Sequence, residues 1–151
     1  MRVKLGEIEA YLHQTFPFAR SCGLRLAEYN GEFLRLQAPL QQNSNHHNTA
    51  FGGSLASFGI LAGWTLLHMK LREHDIDSQL VIQKSRMDFL APVSRDFETL
   101  ALIPTDDAWR RFLNTLNRRG KARIHVCSQI IVGDRVAGVH EGAYVALRNG
   151  Q

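Results

Sequence analysis

Cysteine is scarce in this sequence. Its 151 residues include only Cys22 and Cys127, which form neither a CxxC pair nor a regular framework. This scarcity excludes a disulfide-stabilised secreted scaffold, and it predicts two reduced thiols in a cytoplasmic protein. The adjacent histidines His46 and His47 lack the i, i+4 or His-x-His spacing of a common metal site. We therefore expect no metal and no other bound cofactor.

Long hydrophobic runs are absent as well. Residues 50–69 come closest, but four glycines, three hydroxyl groups and His68 interrupt them, whereas a spanning helix needs roughly 18 or more apolar residues in succession. The first residues, MRVKLGE, lack the apolar core of a signal peptide. Apolar residues make up 44% and charged residues 21% of the sequence, which is typical of a soluble globular protein. We predict a single domain over residues 1–151 with no membrane partner.

Charge of one sign is not in large excess, because the formal net charge is +4. The basic residues that do cluster are Arg118, Arg119 and Lys121. No stacking aromatic residues lie between them and they match no nucleic-acid-binding motif, so we expect no nucleic-acid partner. Two interpretations stay open. The cations complement the dipole at the end of a helix, or they bind the phosphates of a nucleotide-bearing substrate.

The spacing of apolar residues predicts three helices and six strands. The helices cover 5–16, 50–72 and the segment between a Thr105 cap and a Gly120 stop, and the strands cover 23–29, 32–38, 80–90, 97–103, 122–132 and 136–147. Asn30-Gly31 predicts a type I′ hairpin turn. Most connections are too short for parallel crossovers. We therefore predict an α+β fold in which an antiparallel sheet wraps around the apolar helix 50–72.

The most informative segment, NHHNTAFGGSL, lies where helix 50–72 begins. The first N–H groups of a helix have no partner within it and carry partial positive charge. Gly52 and Gly53 let another group approach those donors closely. Such donors, with the N–H of Gly53 foremost, can stabilise a carbonyl oxygen that becomes negative, which points to acyl chemistry. Close packing of the helix on a sheet is the structural alternative.

Side chains near this helix start are candidates for the chemistry. Asn48 could cap the helix or position a water or the carbonyl, and a cap at Thr49 would allow both. Ser57, one turn beyond Ser54, could hold the attacking water, or its hydroxyl could bond back to a helix carbonyl. His46 and His47 are candidate general bases because an unperturbed imidazole has a pKa of about 6.5, or they simply occupy a polar loop.

Three further titratable residues lie on predicted strands. Asp88 is the one carboxylate in the segment MDFLAPV and is a second candidate for the base. An ion pair with Arg86 is its alternative role. His125 and His140 lie on neighbouring strands, where they could face each other or pack as half-buried side chains.

The order of these segments resembles that of the hotdog-fold acyl-thioesterases, in which an Asn-containing loop leads into a Gly-Gly helix and a later strand ends in Pro-Val. More closely, HNTAFGGSL at 47–55, LAGW at 61–64 and GKARI at 120–124 resemble the thioesterase domain found at the C-terminus of the bacterial YiiD proteins. The resemblance covers roughly residues 5–148.

The resemblance implies a hotdog fold and a homodimer or dimer of dimers with the active site between subunits. We expect the 80–90 strands to pair across the two-fold axis. The implied substrate is an acyl thioester of coenzyme A or acyl carrier protein, hydrolysed at the helix start in contact with Phe51, Gly52 and Ser54.

One departure keeps two other functions open. Many of these thioesterases carry an Asp or Glu two helical turns after the Gly-Gly pair, where this chain has Ile60. A non-catalytic module that binds or senses acyl thioesters is therefore an alternative. A hydroxyacyl-thioester dehydratase is another, although it needs an acid that this helix does not offer.

Overall fold

A long helix packed inside a six-stranded sheet dominates the computed structural model, which describes residues 4–149. In chain order the elements are α1 (Leu5–Thr15), α2 (Pro17–Ser21), β1 (Arg25–Tyr29), β2 (Phe33–Ala38), α3 (Gly52–Glu73), β3 (Ser78–Phe89), β4 (Phe97–Leu102), α4 (Asp106–Arg119), β5 (Lys121–Val132) and β6 (Arg135–Arg148). Neighbouring strands are antiparallel in the order β1-β2-β4-β5-β6-β3. The predicted α+β hotdog architecture is confirmed.

The central helix α3 is apolar on nearly every side and is buried accordingly. It packs against β2, β3, β4, β5 and β6, so the inner face of the sheet forms the core around it. Strand β5 shows the matching pattern, because its residues alternate between exposed and buried from Lys121 to Ser128. This period of two places every second side chain of β5 against the core.

The predicted cap and stop residues of α4 are confirmed. The Thr105 hydroxyl accepts a hydrogen bond from the Ala108 N–H at 3.2 Å, and Gly120 has φ +73° with its N–H donating to the Leu116 carbonyl at 2.8 Å. This left-handed residue is the position that glycine favours at a helix end.

One local prediction is wrong and another is incomplete. The turn between β1 and β2 is not type I′, because that turn needs positive φ at both central residues and only Gly31, with φ +89°, has it. The Asn30 side chain shapes this turn instead, since its Oδ1 accepts from the N–H groups of Glu32 and Phe33 at 2.9 and 3.0 Å. Pro17 does more than end the first helix. It begins α2, where a missing N–H costs nothing.

Strand β3 forms one edge of the sheet and β1 forms the other. β3 has 12 residues and pairs with β6 along one side, with a bulge between Ile82 and Lys84. No strand of residues 4–149 pairs with its other side. Val81 and Phe89 on this edge strand are more than half exposed. An edge this long can pair with a second strand.

Candidate active site

The chain enters α3 through a segment held by backbone hydrogen bonds. The Ala50 N–H donates to the Val93 carbonyl at 2.7 Å, and the Phe51 N–H donates to the Asn43 carbonyl at 2.6 Å. Asn43 is itself buried, and its Nδ2 donates to the carbonyls of Cys22 and Pro39 at 2.9 and 2.8 Å. These contacts fix the position of the helix start relative to the sheet.

The helix start presents free backbone donors. Within residues 4–149 no protein acceptor is bonded to the N–H of Gly52, Gly53 or Ser54, whereas the Leu55 N–H donates to the Phe51 carbonyl at 3.1 Å. Phe51 is the capping residue, and its side chain cannot accept a hydrogen bond. The prediction of a cap at Asn48 or Thr49 is therefore wrong. Three unpartnered donors remain available to an anionic or carbonyl oxygen.

Aromatic rings surround the two glycines. A Cβ added at Gly53 would collide with the Phe51 ring, and one added at Gly52 would lie 3.4 Å from the ring of Phe89 on β3. Phe51 and Phe89 are each 57% exposed and Leu90 is 60% exposed. The donors thus sit within an exposed apolar surface that suits an acyl chain or a second subunit.

The loop before the helix is organised by Asn45, a residue that the sequence pattern did not single out. Its Oδ1 accepts from the N–H groups of His47 and Thr49 at 2.8 and 3.2 Å, and its Nδ2 donates to the Thr49 hydroxyl at 2.8 Å. Asn48 lies inside this turn with φ +61° and is exposed. The signal in the sequence is the Asn45-x-x-x-Thr49 spacing, typical of a side chain that closes a turn.

The structure brings some candidates together and separates others. His47 is exposed in the same loop as Asn48, with its ring centroid 3.8 Å from that of His46. Ser54 is buried in the first turn of α3 and Ser57 is half-buried one turn later. Thr65 does bond back to the helix, at 2.7 Å from the Leu61 carbonyl. The Ser57 hydroxyl makes no such bond to any described residue.

The Asp88 side chain does not point towards the helix start of its own chain. Its carboxylate lies 3.5 Å from the Arg86 guanidinium, and both side chains are more than half exposed. Successive side chains of a strand point to opposite faces, so Asp88 faces away from α3 while Phe89 reaches Gly52. The ion pair named as its alternative role is confirmed.

The inner face of the sheet carries a buried polar group beneath α3 that was not predicted. His140 is fully buried, its Nε2 lies 2.7 Å from the Ser85 hydroxyl, and its Nδ1 has no partner in the described residues. Burial lowers the pKa of its imidazole, and the nearby Glu141 opposes this with a smaller effect. His125 is exposed on the opposite face of the sheet, so the two histidines do not face each other.

Glycines in α3 leave space for the buried side chains of His140 and Tyr144. A Cβ on Gly59 would come within 2.6 Å of His140, and one on Gly63 would collide with the Tyr144 hydroxyl. That hydroxyl donates to the Ile60 carbonyl at 2.8 Å. The Ser128 hydroxyl donates to the Gly59 carbonyl at 3.4 Å. Helix and sheet are therefore locked together by small residues and polar contacts.

The predicted basic cluster lies at the other end of the sheet. Arg118 and Arg119 end α4 and Lys121 begins β5. Lys121 aligns with Leu147 and, through it, with Gln79 near the start of β3, whereas the helix start contacts Phe89 at the end of β3. At about 3.3 Å per strand residue the two regions of one chain lie roughly 30 Å apart.

Comparison with known proteins decides the family. Residues 5–148 match the family model described as "Putative thioesterase (yiiD_Cterm)". The chain belongs to this family. The predicted resemblance to the YiiD C-terminal thioesterase domains is confirmed, and with it a hotdog-fold thioesterase as the protein class.

Solved structures agree with membership of the YiiD C-terminal family. One similar structure is a protein of unknown function from Chlorobaculum tepidum TLS, with 28% identity, a TM-score of 0.90, and coverage of 95% of this chain and 94% of that chain. A "putative thioesterase" from Shewanella oneidensis has 24% identity and a TM-score of 0.85 over 95% of this chain and 96% of its own. A "Probable Thioesterase" from Pseudomonas aeruginosa has 18% identity and a TM-score of 0.77 over 99% of both chains. The last two show the fold alone.

Neither a metal-binding cluster nor a membrane-spanning helix is present in the part of this family member that the structure describes. Among the described residues, no three His, Cys, Asp or Glu side chains gather in a way that could hold a metal ion. None of the helices in residues 4–149 combines the length and apolar character needed to cross a membrane.

Proposed function

We propose that this protein hydrolyses acyl thioesters, with coenzyme A or acyl carrier protein as the thiol part of the substrate. The observation that carries the proposal is the set of unpartnered N–H donors at Gly52, Gly53 and Ser54, framed by the exposed rings of Phe51 and Phe89. The thioester carbonyl accepts a hydrogen bond from the Gly53 N–H. As water attacks the carbonyl carbon, these donors stabilise the charge that develops on its oxygen.

The attacking water must be held near the carbonyl carbon and must give up a proton to a base. Asn48 and Ser57 position it in this proposal, and His47 takes its proton, because His47 lies in the loop that leads to the donors while Asp88 points away. The tetrahedral intermediate then breaks its carbon–sulfur bond. The thiolate leaves and takes up a proton, so that a carboxylic acid and a free thiol are formed.

We further propose a homodimer in which β3 pairs with β3 of a second copy, with the active site between the subunits; a dimer of dimers is compatible with this pairing. The unpaired 12-residue edge of β3 supports it, since pairing removes an exposed strand edge and two-fold dimers are the commonest oligomers. Cys22 and Cys127 are both free thiols, which supports a cytoplasmic location.

The proposal is tested by a panel of acyl-CoA chain lengths, with hydrolysis read as release of free thiol. Asn48→Ala is expected to lower kcat about 100-fold, near the effect of one positioning contact. Ser57→Ala should lose less, because water can replace its hydroxyl. His47→Gln should lower kcat, while His46→Gln serves as the matched control.

Asp88→Asn decides between the two candidate bases. An unchanged rate supports His47, and a loss of activity in a folded variant assigns the base to Asp88 instead. Parent rates in all of these variants would contradict the mechanism. If the parent protein binds acyl-CoA but releases no thiol at any chain length, the binding or sensing function replaces hydrolysis.

A further inference from the structure

A cavity of about 470 Å³ opens where α4 ends and β5 begins. Three cations and two polar side chains surround an apolar floor, and the lining residues are Arg119, Lys121, Arg123, Thr115, Gln83, Ala122 and Val145. We propose that this cationic pocket binds the phosphate groups of a nucleotide.

The charges in the cationic pocket are uncompensated. Within residues 4–149, none of Arg119, Lys121 and Arg123 forms an ion pair, although Arg110 on the same helix pairs with Asp107 at 3.2 Å. Three like charges around one cavity repel each other. A phosphate group relieves this repulsion, because it brings nearly two negative charges and several acceptor oxygens to one point.

The dipole of α4 accounts for only one of these three cations, Arg119. Its effect falls off within the last turn of the helix, which explains Arg118 and Arg119. Lys121 and Arg123 lie beyond the helix, on β5. Arg123 is also held in place, because its Nη1 donates to Gln83 Oε1 at 3.2 Å. A guanidinium oriented in this way can offer its remaining N–H groups to phosphate oxygens.

The lining favours a single nucleotide over a nucleic acid. Val145 and Ala122 form an apolar floor, and Thr115 adds a hydroxyl donor. None of the lining residues is aromatic, whereas surfaces that bind single-stranded nucleic acids commonly use aromatic side chains to stack successive bases. Arg118, which is adjacent to Arg119 in the sequence, does not line the cavity, and Arg123 takes its place.

Two sources could supply the phosphates. One is the nucleotide end of acyl-CoA, an assignment that rests on the proposed function. The other is a free nucleotide that binds independently of the reaction. Within one chain the cationic pocket extends from Gln83, roughly 20 Å from the helix start along β3, to Lys121, roughly 30 Å from it. A two-fold axis through the middle of β3 would place the partner subunit's Gln79 opposite Asp88, so that the partner's pocket approaches this helix start.

Binding is tested by calorimetry with adenosine 3′,5′-bisphosphate, which needs no catalytic activity. We expect the parent protein to bind it, each of Arg119→Ala, Lys121→Ala and Arg123→Ala to weaken binding about 10-fold, and the triple variant to abolish it. Arg111→Ala, an exposed cation on α4 outside the cavity, is the matched control. Circular dichroism checks that each variant is folded. Equal affinity of parent and triple variant, or no binding by the parent, overturns the proposal.

Kinetics then distinguish the two sources. If the nucleotide belongs to the substrate, the triple variant raises KM for acyl-CoA and leaves hydrolysis of short acyl-pantetheine thioesters unchanged. If it is a separate ligand, binding is lost while both substrates keep their KM. A parent that binds the bisphosphate but hydrolyses neither substrate contradicts the proposed function and leaves the cationic pocket established.

Discussion

At the scale of single residues, the proposed chemistry depends on backbone groups more than on side chains. The sequence is sufficient to locate Gly52 and Gly53, because two adjacent glycines weaken a helix and so mark a place where its backbone must stay accessible. It is not sufficient to find Asn45 or the cap at Phe51. Those depend on long-range contacts, such as the bond from the Phe51 N–H to the Asn43 carbonyl, which no local pattern encodes.

His140 is the residue whose role was least visible in the sequence. A histidine in an alternating strand can face either side of a sheet. Its burial follows from the strand register and from the small residue Gly59 on the opposing helix. Periodicity alone does not reveal which glycine of a helix faces which side chain of a sheet.

The buried His140 predicts a pH-dependent stability. Its native pKa is lowered by burial, while the imidazole of the unfolded chain has a pKa of about 6.5. Above that value both states are neutral and this contribution to stability is complete. As pH falls from there towards the native pKa, the unfolded chain takes up the proton first, so the free energy of unfolding decreases.

We expect His140→Gln to reduce this slope, because the glutamine amide can keep the hydrogen bond to Ser85 without titrating. Urea unfolding between about pH 5 and pH 8 measures it. Part of the slope should remain, since burial and Arg72 also lower the pKa of His68. His125→Gln, on the exposed face of the sheet, is the control. A slope that stays unchanged in His140→Gln would contradict this assignment.

At the scale of elements, the helices and strands follow the sequence closely. Helix α3 was predicted over 50–72 and spans Gly52–Glu73, and strand β5 was predicted over 122–132 and spans Lys121–Val132. Long elements can be predicted from the sequence because their pattern of apolar residues repeats several times. A short element such as α2 cannot be predicted in this way, because its five residues are too few to show a repeating pattern.

The packing of α3 gives a prediction at this scale. Gly59→Ala should destabilise the fold by about 1–3 kcal/mol, because its Cβ would overlap His140 and force a shift of helix or strand. Gly6→Ala in α1 is the matched control, since nothing lies within 4 Å of an added Cβ there. That change should stabilise the protein by roughly 0.5–1 kcal/mol through helix propensity. Chemical denaturation measures both, and a neutral Gly59→Ala would show that the contact is not tight.

At the scale of the whole molecule, the helix start lies beside the Phe89 end of β3, whereas the cationic pocket extends from the other end of this strand to Gln83 in its middle. The sequence indicated both regions but not their separation, which depends on sheet order and register. A strand edge that pairs with its own copy reverses direction, so each end meets the opposite end of the partner. In the proposed homodimer, this pairing would bring together one helix start and one cationic pocket from different subunits.

A complementation experiment tests this arrangement. Chains carrying Arg119→Ala, Lys121→Ala and Arg123→Ala are coexpressed with chains carrying His47→Gln and Asn48→Ala, and mixed dimers are isolated through two affinity tags. If the regions act across the subunit interface, each mixed dimer contains one intact site and one defective site. We then expect roughly half of the parent activity at low acyl-CoA concentration. If they act within one chain, or if light scattering finds a monomer, no activity returns on mixing.

The contacts of Tyr144 and Ser128 with carbonyls in the middle of α3 have a mechanical consequence. These hydrogen bonds oppose both translation of the helix along its axis and rotation about it. We therefore expect the donors at its start to keep their position relative to the sheet when a ligand binds. Any movement on binding is then expected in the Asn45–Thr49 turn. The geometry of the proposed site thus depends on contacts in the core, away from the helix start itself.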